Sequence, residues 1–227
     1  MARTLNVEAH AVRRDTFVDA ATLLIQRKGY GQLSIQEVLE DTGASKGAFY
    51  HYFDSKEALV EAVTEKIVDG ALAAVQPILA DADRSAVEKL VVMFRGIAGW
   101  KNARRDLMLG LIEVWMSDDN TVVREKLRVS MTARLHPLFS AIVAEGRAEG
   151  LFDVEDPEFS AGVVLLLIAG AQDWASRLFI DCQNGRATIS DARKLVAAFQ
   201  QALERVLGAP SGSLTYVDEE TLRIWFG

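Results

Sequence analysis

The chain has 227 residues, half of them hydrophobic, a formal charge of −7 and one cysteine, Cys182. The negative charge excludes a protein that coats nucleic acid through a broad positive field, and the single cysteine excludes an internal disulfide framework and fits a reducing compartment. The opening "MARTLNVEAHAVRRD" lacks the apolar stretch of a secretory signal, so a cytoplasmic location is expected, and the length allows one large core or a small domain joined to a larger one. Residues 1–56 hold seven basic and seven acidic side chains, which leaves the whole negative excess downstream.

Phe17, Ala20, Ala21, Leu24 and Ile25 fall on one face of a helix that begins near residue 10. It ends with Arg27 and Lys28 before Gly29, where cations suit the carbonyl end and glycine can turn the chain. The run Ser34–Glu37, "SIQE", fits a capping box with the Glu37 side chain returning to the Ser34 amide, and Leu33 with Val38 completes a hydrophobic staple. Ile35, Val38 and Leu39 supply a short apolar stripe that must stop by Gly43, after which "TGAS" leads to Ser45 as the cap of another helix. Two short helices joined by a glycine turn have the form of a helix-turn-helix, and also that of a plain structural hairpin.

The stretch "SKGAFYHYF", Ser45–Phe53, sorts by helical angle. Phe49, Tyr52 and Phe53 cluster on the side that packs on the first two helices. Gly47, Tyr50 and His51 lie opposite, with Lys46 and Ala48 on the flanks. Tyrosine and histidine can donate to phosphate oxygens, a lysine can neutralise a phosphate or reach a base acceptor, and a glycine allows close backbone approach to a major groove. The same side chains also fit an ordinary solvated surface.

The run Thr42–Leu59, "TGASKGAFYHYFDSKEAL", closely resembles the DNA-binding signature of the tetracycline-repressor (TetR) family, and the likeness begins at "AATLLIQRKGYGQLSIQEVLEDTG", covering approximately residues 10–60. The resemblance implies an all-α protein: a three-helix helix-turn-helix DNA-binding head, residues 1–56, plus a larger helical effector-binding and dimerisation domain, residues 57–227. Carried over onto this sequence, Ser34 looks like a phosphate contact through its hydroxyl and the helix amides, and Ser45, Lys46, Gly47 and Ala48 look like the part nearest the bases. Tyr50 and His51 match positions that hold phosphates, and Lys56 resembles a lysine contact to the backbone. Ala48 departs from the more frequent threonine or asparagine and leaves only van der Waals contact there.

Farther along, Asp54 or Ser55 can cap a fourth helix that runs toward Pro77 and connects the two domains. After the polar "DADRS", helical periodicity resumes at Val87, Leu90, Val91, Phe94 and Ile97, and "DLMLGLIEVWM" is apolar nearly all around, as a centrally buried helix would be. Glu113 interrupts it and must find an exposed edge or a cation. A helical pattern from roughly Thr121 to Gly150 contains His136-Pro137, where the proline should bend or break the helix. His136 reads as a satisfied core residue or as a cavity wall. The last two long helices are expected at Pro157 to about Ile180, carrying the apolar run Ala161–Ala171, and at about Ser190 to Leu207. That run is too short to cross a bilayer, which needs roughly 20 residues, so it is read as a buried helix. After "GAPSGS" the tail "LTYVDEETLRIWFG" should dock on its own domain or on a partner subunit, as a short helix from near Asp218, rather than expose Trp225 and Phe226.

The large, adaptable side chains of this half suit an ordinary core or an apolar pocket. The resemblance implies a pocket for a small, largely apolar effector, placed here on Phe94, Trp100, Ile112, Trp115, Met131, His136, Phe139, Ile168 and Gln172. It also implies a homodimer, through the last two long helices, whose two heads read the halves of a pseudo-palindromic operator in double-stranded DNA. An enzyme is not expected: no nucleophile, base or phosphate-cradling loop is visible, His10, His51 and His136 are far apart in sequence, and neither a cofactor, a metal nor a membrane is called for. The expected function is a transcriptional regulator, a repressor released by its effector; the alternative is a dimeric helical ligand-binding protein without operator binding.

Overall fold

The structure, a computed structural model, describes residues 2–79, 81–116 and 121–227, and the side chains of Glu113 and Trp115 lie outside what is described. The helices are α1 (Ala2–Lys28), α2 (Ile35–Thr42), α3 (Lys46–Tyr50), α4 (Lys56–Leu79), α5 (Ala86–Asn102), α6 (Arg105–Met116), α7 (Thr121–Ala148), α8 (Pro157–Gln183), α9 (Ile189–Leu207) and α10 (Glu219–Phe226). The fold is all-α, with no strand among the described residues. Two compact units emerge: Met1–Asp69 with Arg104–Leu127, and Gly70–Ala103 with Arg128–Gly227.

The first unit is built on Phe17, Val18, Ala21, Ile25, Val38, Phe49, Leu59 and Val63, all buried, with Leu107 of α6 in the same cluster. α1 starts at Ala2, well before residue 10, because residues 2–9 contain neither proline nor glycine to stop it. Ser34 caps α2 by accepting the Glu37 amide, and Gly43 closes it in the left-handed conformation at φ 61°. The Glu37 carboxylate takes the Ser34 hydroxyl at 2.6 Å and the Lys28 ammonium, where the sequence pattern had it returning to the Ser34 amide. A cation outcompetes an amide for a carboxylate, so the cap of α2 also ties it to the end of α1. That hydrogen bonding holds the Glu37 carboxyl below the usual carboxylate range, with Lys28 the larger cause and Ser34 next. Ser55, whose hydroxyl accepts the Ala58 amide at 3.1 Å, begins α4.

In α6, Leu107 is buried while Met108, Leu109, Leu111 and Ile112 are half-buried, so this helix is less enclosed than its composition predicts. In the second unit Ser85 and Glu88 form a complete capping box at the start of α5. α7 continues through Pro137 without a break; the ring removes one hydrogen bond, which a helix of this length survives. α8 is capped by Asp156 with proline at its first position. It is long and apolar enough to cross a membrane by length and composition, a test that core helices also pass. One side of it, with Ala161, Val164, Leu165, Leu178 and Phe179, is buried and the helix packs on α9. The opposite side is not buried as expected: Phe159, Val163, Leu166 and Trp174 are exposed.

Beyond α9 the chain turns at Gly208, in the left-handed conformation, and lays residues 209–227 back on the second unit. Leu214 is fully buried, Tyr216 lies tilted against Phe94 at 5.5 Å and edge-on to Phe199 at 5.0 Å, and the Trp225 indole donates to the Asn102 side chain at 2.7 Å. Asp218 caps α10 through the Thr221 amide, as the tail's composition predicts.

Candidate nucleic-acid interface

α3 has five residues, too few for a stable helix on their own, so tertiary packing must hold it. Phe49 and Phe53 supply that anchor: they are 0% and 3% exposed, and Phe17 meets both rings edge-on at 5.6 and 6.3 Å. With α3 pinned from inside, the facial assignment drawn from the sequence follows. Ser45, Lys46, Gly47, Tyr50 and His51 are exposed, Ala48 and Tyr52 half-buried.

Each candidate contact has a defined local state. The Ser45 hydroxyl accepts the Ala48 amide at 3.2 Å, fixing the first turn of α3. Lys46 lies 6.0 Å from the Tyr50 ring centroid and enters no ion pair among the described residues, so its charge is available to an anion. At Gly47 a Cβ would meet nothing within 4 Å and the backbone is helical, so the fold itself does not require glycine there. Ser34 is half-buried and its hydroxyl is engaged at both ends by Glu37. Lys56 donates to the Tyr30 carbonyl at 3.2 Å, with its ammonium 4.0 Å from the Tyr30 ring centroid, and burial pushes its pKa down.

One member of this surface has no signal in the local sequence. His10, on α1, sits 5.6 Å from the His51 ring and 4.5 Å from the Tyr52 ring, while His51 and Tyr52 are 5.1 Å apart. The two histidines are distant in sequence and adjacent in space, because α1 runs past the end of α3. The packing of Phe17 on Phe49, Tyr52 and Phe53 sets that register.

The expected effector residues are distributed across both units. Ile112 belongs to the first unit; Phe94, Trp100, Met131, His136, Phe139, Ile168 and Gln172 belong to the second. Phe139 is 2% exposed and packs on Phe94 at 6.2 Å, with Ile168 against the same cluster. Trp100 covers Gly70, where a Cβ would lie 3.0 Å from the indole. His136 Nε2 is 3.2 Å from the Glu158 carbonyl oxygen. A cleft of about 290 Å³ opens elsewhere in this unit, lined by Arg95, Asn102, Tyr216, Asp218, Thr221 and Ile224 among others, and shares no residue with the expected set. The tail residues in its wall lie more than a hundred positions from Arg95, which is why no local pattern marked it. Among the described residues no group of three or more histidine, cysteine or carboxylate side chains is arranged to hold a metal ion.

Two short helices joined by a left-handed glycine, the second presenting a polar and cationic face while its phenylalanines anchor it, have the geometry of a helix-turn-helix. Residues 17–63 match the profile described as bacterial regulatory proteins, tetR family. It is 35% identical over 88 residues to the uncharacterized HTH-type transcriptional regulator YuxN of Bacillus subtilis, and 32% identical over 84 residues to the HTH-type transcriptional repressor KstR2 of Mycolicibacterium smegmatis. Each match takes in 37% of this chain, and the chain spans 30% and 40% of the length of those two relatives. Two solved structures share the fold over most of the chain. RolR in complex with resorcinol has a TM-score of 0.66 at 19% identity, covering 96% of this chain and 95% of that one. A TetR transcription regulator from Haloarcula marismortui has a TM-score of 0.62 at 19% identity, covering 87% and 97%.

Proposed function

We propose that the protein is a cytoplasmic transcriptional repressor that binds a pseudo-palindromic operator as a homodimer and leaves it when a small, largely apolar effector binds. The observation that carries this reading is the polarity of α3, phenylalanines inward and Lys46, Gly47, Tyr50 and His51 outward, within a domain that matches the tetR family profile. Lys46 and the first turn of α3 would approach base edges, Tyr50 and His51 would hold phosphates, and Ser34 and Lys56 would touch the backbone at the starts of α2 and α4. Ser34 would exchange its bond to the Glu37 carboxylate for one to a phosphate oxygen, and Lys56, with one donor on the Tyr30 carbonyl, retains others.

Dimerisation is assigned to α8 and α9. Phe159, Val163, Leu166 and Trp174 on one side of α8 are large apolar side chains left in water, as at an interaction surface, and Ala197 and Ala198 on α9 are small and exposed. Two copies related by a two-fold axis would bury both stripes and double the base contacts. Effector control would act through α4, which has residues in both compact units. RolR, similar in fold, has been crystallised with resorcinol, which supports a small organic effector for this chain as well.

Selection of bound genomic fragments followed by footprinting tests the reading. A protected pair of half-sites about one helical turn apart is the expected result. Retention of no duplex at low salt by the intact dimer would leave a helical ligand-binding protein instead.

A further inference from the structure

We infer that His10 and His51 form a proton-linked phosphate clamp, in which His10 extends the DNA-facing surface from α3 onto α1. The inference rests on the operator-binding reading above and adds to it both a residue and a dependence on pH.

The geometry is a three-ring cluster. His51 stands edge-on to His10 at 5.6 Å and edge-on to Tyr52 at 5.1 Å, while Tyr52 lies against His10 at 4.5 Å. Tyr52 is half-buried against Phe17, so it holds both imidazoles in place; the imidazoles themselves are exposed. Neither ring has a hydrogen-bonded partner among the described residues. The charged and titratable groups on the elements around them are few. On α1 these are Glu8, whose side chain lies outside what is described, Asp15, and Arg13 and Arg14, which lie over the Phe17 and Phe53 rings; Arg14 is also 4.0 Å from Glu65 of α4. On and after α3 they are Lys46, Tyr50, Tyr52, Asp54 and Lys56. None of these contacts joins a carboxylate to either imidazole.

A phosphate brought against the pair favours the charged form of both rings. Histidine is the side chain whose charge ordinarily changes near neutrality, so binding a duplex there takes up protons from solution. The sign follows: the bound state holds more protons than the free state, and affinity therefore rises as pH falls. Each proton taken up tightens binding by up to roughly tenfold per pH unit. Each added cation on a phosphate also steepens the fall of log affinity with log salt by about 0.9.

The test uses the full-length protein and a duplex recovered by selection of bound genomic fragments, titrated across pH from about 8 to about 6, where histidine changes charge, at several salt concentrations. The wild type is expected to bind at least tenfold tighter at the acid end, with a steeper salt dependence there. His10→Gln and His51→Gln, both at exposed positions, should retain the melting temperature and lose most of that pH response. His10→Lys should bind as tightly at the alkaline end as the wild type does at the acid end. Affinity flat across the range, or an equal pH response in wild type and both glutamine variants, overturns the clamp while operator binding stands. Failure of wild-type protein to retain any duplex at any pH overturns both.

Discussion

Gly110 of α6 lies against the backbone of Ile25 in α1: a side chain there would collide with the Ile25 carbonyl oxygen and come within 3.1 Å of its Cγ2. The Gly110 carbonyl also accepts the Tyr30 amide at 3.1 Å, just past the end of α1. The absence of a Cβ is what lets α6 approach closely enough for that bond. Gly110→Ala is therefore expected to destabilise the first unit by about 1–3 kcal/mol, since the obstacle is backbone and cannot rotate away. Gly99→Ala, in the last turn of α5 with nothing within 4 Å of its new methyl, should be neutral or stabilise by up to about 1 kcal/mol. Denaturant unfolding of the two variants side by side checks the pair.

The two faces of α3 separate folding from binding. Phe49→Ala removes a fully buried ring and should cost about 3–5 kcal/mol of stability in the head. Lys46→Ala and Tyr50→Ala should leave thermal unfolding unchanged and weaken duplex binding. Gly47→Ala is the sharpest of these: the fold has open space for the methyl, so a loss of binding at unaltered stability would place a partner's surface against that position.

Glu204 anchors the carboxy-terminal arm. It is 5% exposed, and it accepts the Leu214 amide at 3.1 Å and the Gln200 side-chain amide at 2.9 Å. Burial alone pushes its carboxyl up, but the Gln200 amide with the backbone amides of Gly212 and Leu214 outweighs burial and holds it below the ordinary range. A lowered folded-state value means that the ionised form stabilises the fold above the unfolded range and that this stability is lost as pH falls through the lowered value. Glu204→Gln should cost about 1.5–3 kcal/mol near neutrality, as loss of hydrogen bonds to a charge does. The difference from wild type should close as pH is taken down through the carboxylate range. A gap of constant size at every pH would show that shape, not charge, holds the arm.

Leu166, 60% exposed in the middle of the α8 stripe, is the position to probe for self-association. Leu166→Glu should leave the protomer folded, because the side chain already faces water, and should shift sedimentation from dimer to monomer. Operator affinity should fall with it, since two linked heads bind far more tightly than one.

Much of this molecule is legible one segment at a time. The caps at Ser34, Ser45, Ser55 and Asp218, the left-handed turn at Gly43 and the inward ring of Phe49 all depend on residues within a few positions of one another. A helix registers its own faces and ends. That is why the helix-turn-helix and its outward surface are legible without any packing, and why the sequence bounds α8 and α9 to within a few residues. The same locality misled where a neighbour intervened: Glu37 turned to Lys28, and α8 kept one apolar side in the open.

What the amino-acid order determined by itself is where most helices start and stop, the start of α1 apart, and that α3 and the residue after it offer a lysine, a phenol and an imidazole outward. The tertiary structure alone decided which helices meet: α6 against α1 at Gly110 and Ile25, the tail's Tyr216 between Phe94 and Phe199, and His10 beside His51. Those contacts join residues tens of positions apart, and their energy comes from surface shape and buried area summed over the whole core, quantities that no local pattern encodes.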